Sequence, residues 1–391
     1  MTNLAQRLSG PASTTIFEVM SGLARELGAI NLGQGFPEMD EPPELIDAAQ
    51  RALAGRSNQY PPMRGLPELR GTIADYYARE QGLELSAENI VVTSGATEAL
   101  AASLLALVRP GDEVILIQPL YDAYLPLVQW AGGTAKLVSL EPPHWTLPLD
   151  QLAAAIGPKT RGIVLNTPNN PTGTMLTRAE LDSVGVLAEA HDLWVVSDEV
   201  WEGMVLDGTA HVSALSIRTL ASRTVKIGSA GKIFSMTGWK IGWAVAAAPL
   251  AAAVAGKHQF LTFTTATPLQ WAVAEALALP HAWHAAHRAR YASAKARLVA
   301  GLTAAGFVVL PASGTWFITL DLAASGLPAD DVALAEKLIR EAGVASIPVS
   351  AFYADAPERG YMRLCFAKQD VVLDAAVERL ARFKDGAPNR G

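Results

Sequence analysis

Lys232 stands where a lysine does little for a fold. In Gly228-Ser229-Ala230-Gly231-Lys232-Ile233-Phe234-Ser235-Met236-Thr237-Gly238-Trp239-Lys240 it is flanked by Ile233, Phe234, Met236 and Trp239 and lies between two apolar runs. Burial disfavours an ammonium and lowers its pKa from about 10.4, which leaves the neutral amine that attacks an aldehyde. A phosphate-binding P-loop is the competing reading. It fails at both ends, because Lys226 occupies the place of the first glycine and Ile233 follows the lysine in place of Ser or Thr. A plain surface turn would hardly carry so many large apolar neighbours.

Three other segments hold polar residues that suit the same chemistry. Asp198 closes the apolar run Val195-Val196-Ser197-Asp198. A buried carboxylate needs a cationic partner, and a pyridinium nitrogen is one; alone, the same Asp also fits a helix cap. In Thr93-Ser94-Gly95-Ala96-Thr97-Glu98-Ala99 a strand ends and a helix opens, offering free N–H groups and hydroxyls to a phosphate monoester. Ordinary capping by Ser94 or Thr97 explains those residues too. Asn166-Thr167-Pro168-Asn169-Asn170-Pro171-Thr172-Gly173 is an amide-rich loop aimed by prolines, a ligand loop or a turn. The combination argues for function, since each segment falls at the end of a predicted strand.

The elements that must position them are legible from periodicity. Short β-branched runs at 90–93, 114–118, 136–140, 162–166, 194–197 and 224–227 alternate with helical stretches such as 97–107 and 177–191. This is an α/β pattern with a largely parallel sheet, in which ligands gather at strand ends. After about residue 285 the pattern changes: a helix over 287–305, strands at 307–310 and 315–322, a helix near 332–342 and a strand at 362–366. The expected organisation is an N-terminal segment 1–45 packing with the small domain, a large domain 46–285, and a smaller α+β domain 286–391.

Composition narrows the function classes. The chain has 391 residues, a net charge of −7 and 18% charged residues, so it offers nucleic acid no general attraction. The single cysteine, Cys365, forms no intramolecular disulfide and no thiolate cage, and reads as a small buried hydrophobe. The N-terminus lacks the apolar core of a secretory signal, and the most apolar stretch, 241–255, is broken by Pro249. The expectation is a soluble cytoplasmic protein with neither a membrane nor a nucleic-acid partner.

The sequence resembles the class I aminotransferases of the fold-type I pyridoxal-phosphate superfamily, near the kynurenine, glutamine and methionine aminotransferase branch. The resemblance runs from Asn31-Leu32-Gly33-Gln34-Gly35-Phe36-Pro37 through Asn58-Gln59-Tyr60, Asn170-Pro171-Thr172-Gly173 and Ser229-Ala230-Gly231-Lys232 to Arg363-Leu364-Cys365-Phe366. It implies that Lys232 is the Schiff-base lysine and the base that moves the α-proton. Asp198 would pair with the pyridinium nitrogen of pyridoxal 5′-phosphate, Asn170 would bond its phenolic oxygen, and Tyr121 would stack on its ring. Gly95, Ala96, Ser229 and Lys240 match the phosphate positions, and Tyr60 matches a tyrosine that reaches the phosphate from a second subunit, which implies a homodimer with shared active sites. Arg363 matches the arginine that grips the substrate α-carboxylate, a two-point contact suited to guanidinium, and Gly35 lies near that carboxylate. The substrates implied are an amino acid and a 2-oxo acid.

Two positions depart from the family pattern. Trp201 stands where a tyrosine usually bonds the phenolic oxygen, and indole can neither ionise nor accept; a different Schiff-base pKa and pH optimum are expected. Phe260-Leu261-Thr262-Phe263-Thr264-Thr265 carries no arginine of the kind that acidic-substrate relatives use, and Thr264 replaces a histidine of some kynurenine-type members. Phe17, Phe36, Tyr121 and Phe263 suggest an apolar pocket, hence methionine, glutamine, phenylalanine or kynurenine-like donors. A β-lyase acting on cysteine S-conjugates is the alternative chemistry. A non-catalytic regulator would need a nucleic-acid-binding module, for which the stretch before Asn31 is too short.

Weaker signals have plain readings. His281, His284 and His287 are taken as a polar helical face and not a metal site, since at this spacing they fan around the helix. Gly33-Gln34-Gly35 is no dinucleotide fingerprint, as Glu38 replaces the third glycine. Glu84, Glu88 and Glu98 read as solvated or helix-start charges.

Overall fold

The computed structural model describes residues 15–386. Residues 1–14, which include most of the stretch tested for a secretory signal and the start of the 1–45 segment, lie outside it.

Strands β2 (Ile90–Ser94), β3 (Glu113–Gln118), β4 (Thr134–Ser139), β5 (Thr160–Asn166), β6 (Trp194–Asp198), β7 (Thr224–Ser229) and β8 (Ile241–Ala246) form one sheet, with β1 (Ile30–Asn31) outside it. Its order is β2-β8-β7-β6-β5-β3-β4, and only β8 runs antiparallel to its neighbours. Every residue of β7 and β8 is buried, as expected of strands covered on both faces by helices. The register pairs Asn166 with Asp198 and Asp198 with Ile227. The ends of β5, β6 and β7 therefore open onto one crevice, and the loops after them carry the polar residues singled out above.

A second sheet has the order β12-β13-β10-β9, built from β9 (Val308–Val309), β10 (Phe317–Asp321), β12 (Ile347–Pro348) and β13 (Tyr361–Cys365) in antiparallel pairing. It lies in the 286–391 region. β1 pairs with β11 (Val344–Ala345) through Ile30 opposite Val344, and the helix Ile16–Leu27 packs on the same region. That helix starts at Thr15, whose hydroxyl accepts from Glu18 N, and stops at Gly28 in the left-handed conformation. Cys365 is buried and free.

The helix placed at 287–305 spans His281–Ala304, and two of the three histidines taken as its polar face, His284 and His287, turn to the core. Both are buried. His284 packs on Tyr76 and Phe234, while His287 stacks on Trp283 at 5.2 Å and sits 3.1 Å from Ser235 Oγ. Burial pushes both imidazoles down to about 4, so they pack as neutral rings. Only His281 lies on the polar face, beside Glu80. Among the described residues no helix is long and apolar enough to cross a membrane.

Candidate active site

A cavity of about 200 Å³ opens at the ends of β5, β6 and β7. Its wall includes Asn170 after β5, Asp198 and Trp201 at and after β6, and Ser229 and Lys232 at the end of β7. Gly95, Ala96, Tyr121 and Lys240 complete it. Nine of the residues singled out from sequence thus meet in one space, from five separate stretches of chain.

Lys232 sits in the single helical turn Ala230–Ile233 that follows β7. Its Nζ lies 4.6 Å from the ring centroid of Trp201 and 4.9 Å from that of Trp316. Burial pushes its ammonium down to about 8, with Asp198 opposing. No carboxylate among the described residues pairs with it. The amine is therefore neutral in an appreciable fraction near physiological pH, which a nucleophile requires.

Asp198 is buried, and Tyr124 Oη donates to its Oδ2 at 2.6 Å while Val200 N donates to Oδ1 at 3.3 Å. Burial raises its carboxyl to about 6, and the Tyr124 and Val200 donors hold it back from going higher. A carboxylate taken from water at this cost calls for a cation, and among the described residues no lysine or arginine forms an ion pair with it.

The opposite end of the cavity is built from bare backbone. Gly95 has a φ of 77°, and a β carbon there would lie 3.0 Å from Lys240 Cε and 3.1 Å from its Nζ. Gly242 on β8 lies directly beneath, where a β carbon would come within 2.6 Å of Gly95 C and 2.7 Å of Ala96 N. Lys240 itself has a φ of 54°, a conformation that non-glycine residues adopt sparingly and mostly where a site demands it. Glu98, read as solvated or as a helix-start residue, is half-buried in the helix start: it accepts from Ser94 N at 2.5 Å and Thr262 Oγ at 2.7 Å, with His258 Nδ1 at 2.6 Å. Burial would raise its carboxyl, but these partners hold it low.

An unpaired buried carboxylate, an amine and a corner of free N–H groups beside Lys240 and Ser229 match the ring nitrogen, aldehyde and phosphate of pyridoxal phosphate in turn. The residues fit that cofactor.

Arg363 lies on β13, opposite Thr319 and Ile347, and is buried. Its Nη1 donates to Asn170 Oδ1 at 2.9 Å and its Nη2 to Gly33 O at 2.5 Å, while Nε has no partner. Phe317, Phe352 and Phe17 surround the guanidinium at 4.0, 5.0 and 5.3 Å from their ring centroids. Burial pushes it down to about 9, and no carboxylate among the described residues neutralises it. The backbone contact falls on Gly33, two residues before Gly35. Gly35 instead packs on Phe317, where a β carbon would come within 2.7 Å of the ring.

Tyr60 and Phe263 do not line the cavity. They contact each other at 5.6 Å between centroids, and Tyr60 is 82% exposed. Tyr124, Trp316, Phe317 and Phe352 belong to the site but were not singled out, because in sequence they are ordinary core aromatics. Tyr124, three residues after Tyr121 and in ring contact with it at 5.7 Å, was the most accessible of them.

The profile of the family described as "Aminotransferase class I and II" matches residues 28–380, a span that takes in both sheets. The chain is 43% identical over 383 residues to a protein named "Probable N-succinyldiaminopimelate aminotransferase DapC" from Mycobacterium tuberculosis, covering 95% of this chain and 96% of that one. It is 41% identical over 371 residues to a methionine aminotransferase of Escherichia coli, with the same shares covered. A solved structure of N-succinyldiaminopimelate aminotransferase from Mycobacterium tuberculosis superimposes with a TM-score of 0.91 at 43% identity, over 95% of this chain and 97% of the other. A cavity whose amine, carboxylate and anion corner call for pyridoxal phosphate thus lies inside a chain that belongs, nearly end to end, to the class I and II aminotransferases, enzymes that use that cofactor.

Proposed function

We propose that this aminotransferase moves the amino group of a hydrophobic, sulfur-containing or aromatic amino acid, such as methionine, glutamine, phenylalanine or a kynurenine-like donor, to a 2-oxo acid. When bound, pyridoxal phosphate supplies an aldehyde carbon that takes the amino group and a pyridinium ring that spreads the charge left at the donor Cα. Lys232 would hold it at the aldehyde end, and its Nζ, with a pKa near 8, takes and returns the donor α-proton. Asp198, steadied by Tyr124, keeps the ring nitrogen protonated. Asn170 and Tyr121 orient the ring, and Gly95, Ala96, Ser229 and Lys240 hold the phosphate. Arg363 binds the donor carboxylate.

The observation that carries the substrate class is the environment of Arg363: one buried cation ringed by Phe17, Phe317 and Phe352. That pocket recognises one carboxylate and an apolar remainder. The exposed pair Tyr60 and Phe263 supports a homodimer in which a second copy covers them and shares the site. A cytoplasmic location accords with the single buried cysteine.

A donor and acceptor screen with added pyridoxal phosphate, read as keto-acid formation, tests the substrate class. Methionine, glutamine, phenylalanine and kynurenine should exceed aspartate and N-succinyldiaminopimelate in kcat/KM; either acidic donor leading the series would overturn the reading. Pyruvate and thiol release from a cysteine S-conjugate in excess of transamination would make the β-lyase the main activity. Arg363→Lys keeps the charge but loses the planar fork. It should lower kcat/KM for the preferred donor by about 100-fold, and a change under threefold would remove Arg363 from carboxylate recognition.

A further inference from the structure

Behind the cavity wall lies a buried charge cluster that the proposed chemistry leaves unused. Lys226 on β7 is fully enclosed, and its Nζ donates to carboxylates of both Glu199 and Glu202. It also reaches Gln81 Oε1 at 3.2 Å and Ser213 Oγ at 3.3 Å. The carboxylates are satisfied from other sides: Glu199 by Ser197 Oγ at 2.9 Å, Ala214 N at 2.9 Å and His211 Nε2 at 2.7 Å, and Glu202 by Tyr77 Oη at 2.7 Å and Gln81 Nε2 at 2.6 Å. Glu199, Glu202 and His211 have the ligand types of a metal site, but the Lys226 ammonium already contacts both carboxylates and supplies the positive charge. Burying three such groups is costly unless each is fully partnered, so the arrangement invites a reason beyond stability.

The reason lies in sequence order. Glu199 and Glu202 flank Val200 and Trp201, and one ammonium draws both carboxylates together. This closes the turn, in which Glu202 N donates to Glu199 O at 2.9 Å and Met204 N to Trp201 O at 2.8 Å. Glu199 N is tied to Ile227 O on β7 at 3.1 Å. On its far side the turn abuts the residue after Lys232, since a β carbon at Gly203 would lie 2.9 Å from Ile233 Cγ1. Trp201 is thereby held edge-on to Trp316 at 4.7 Å, with its own ring 4.6 Å from Lys232 Nζ.

We propose that Lys226 is a positioning residue: by gathering Glu199 and Glu202 it fixes the turn that holds Trp201 against Lys232 and keeps water from the Lys232 amine. This rests on Lys232 being the reactive amine of the proposed site. The charged or titratable groups acting on Lys232 are Asp198, Lys240, Arg363 and Cys365; of these Asp198 feels the cluster through Glu199, which raises its carboxyl, and Glu202→Gln leaves the Lys226–Glu199 pair, and with it that influence, in place. A loosened turn admits water, and the Lys232 ammonium recovers part of its ordinary stability.

The test uses the full chain freed of cofactor, labelled with acetic anhydride across a pH series, with the peptide carrying Lys232 quantified by mass spectrometry. The midpoint should lie near 8 in the wild type and move up by about one pH unit in Lys226→Met. Glu202→Gln, which keeps the Lys226–Glu199 pair, should move it in the same direction by less. A role in stability alone would lower the melting temperature and leave the midpoint in place. An unmoved midpoint in folded Lys226→Met overturns the proposal; if that variant does not fold, an unmoved midpoint in Glu202→Gln does so. Borohydride reduction of the cofactor-loaded wild type, followed by peptide mapping, separates the two claims. Cofactor found on a residue other than Lys232 would sink the site assignment, whatever the titration shows.

Discussion

Lys232→Ala is expected to lower kcat for the preferred donor by about 10⁴-fold, because one change removes both the attachment point of the cofactor and the base that moves the α-proton. The protein should still bind pyridoxal phosphate through the ring-nitrogen and phosphate contacts, with the visible absorbance of free aldehyde in place of that of the attached form. A small primary amine added to the solution should restore part of the lost rate, since the cavity beside Trp201 and Trp316 gains the volume of the missing side chain. In the wild type, the rate at which cofactor-free protein captures pyridoxal phosphate should climb with pH through a midpoint near 8, where the Lys232 amine is half neutral, and not through one near 10.5. Retention of more than a tenth of the activity in Lys232→Ala would remove Lys232 from the chemistry.

Asp198→Asn should show opposite effects on activity and on stability. Without a carboxylate the ring nitrogen loses its proton-holding partner, and kcat should fall by about 10²–10³-fold. Stability follows from the pKa. The folded, cofactor-free protein holds the Asp198 proton with a pKa of about 6, against an ordinary value of 3.8. A carboxyl raised on folding favours the folded state below pH 3.8, and that benefit is lost as pH rises through 6. Asparagine does not titrate, so between pH 4 and pH 8 the variant should gain on the wild type by up to about 3 kcal/mol. Melting temperatures of the two cofactor-free proteins across that range measure it, and a gap that does not widen with pH would show that Asp198 is not buried as a charge.

Much of this site is legible in the sequence, for a physical reason. A parallel sheet buried on both faces leaves its strands as apolar runs, so a polar residue at the end of such a run stands out. Asp198 after Val195 and Val196, the asparagines after Leu165 and the lysine after Ile227 were visible in this way. The signal fails where a functional residue resembles its surroundings. Tyr124 steadies Asp198 but lies in an apolar aromatic stretch, and Trp316 and Phe317 lie within a strand run that any core would carry. Lys226 shows in the sequence only as a lysine where a P-loop would need glycine, because nothing local reveals that Glu199, Glu202 and Gln81 converge on it from two other elements. The histidine face escapes for a related reason: spacing tells which residues share a side of a helix, but the packing of Tyr76, Phe234 and Trp283 decides that His284 and His287 turn to the core.

Arg363 draws together parts of the chain that are far apart: β13 carries it, Gly33 of the N-terminal region takes one nitrogen, and Asn170 of the loop after β5 takes another. The guanidinium is thus clamped on two sides and cannot follow a ligand around the cavity. A donor must bring its carboxylate to this fixed point while its nitrogen reaches the aldehyde end near Lys232, so the site acts as a gauge of atom spacing. Amines without a neighbouring carboxylate, and acids whose amino group sits farther along the chain, would engage one end of the gauge and miss the other.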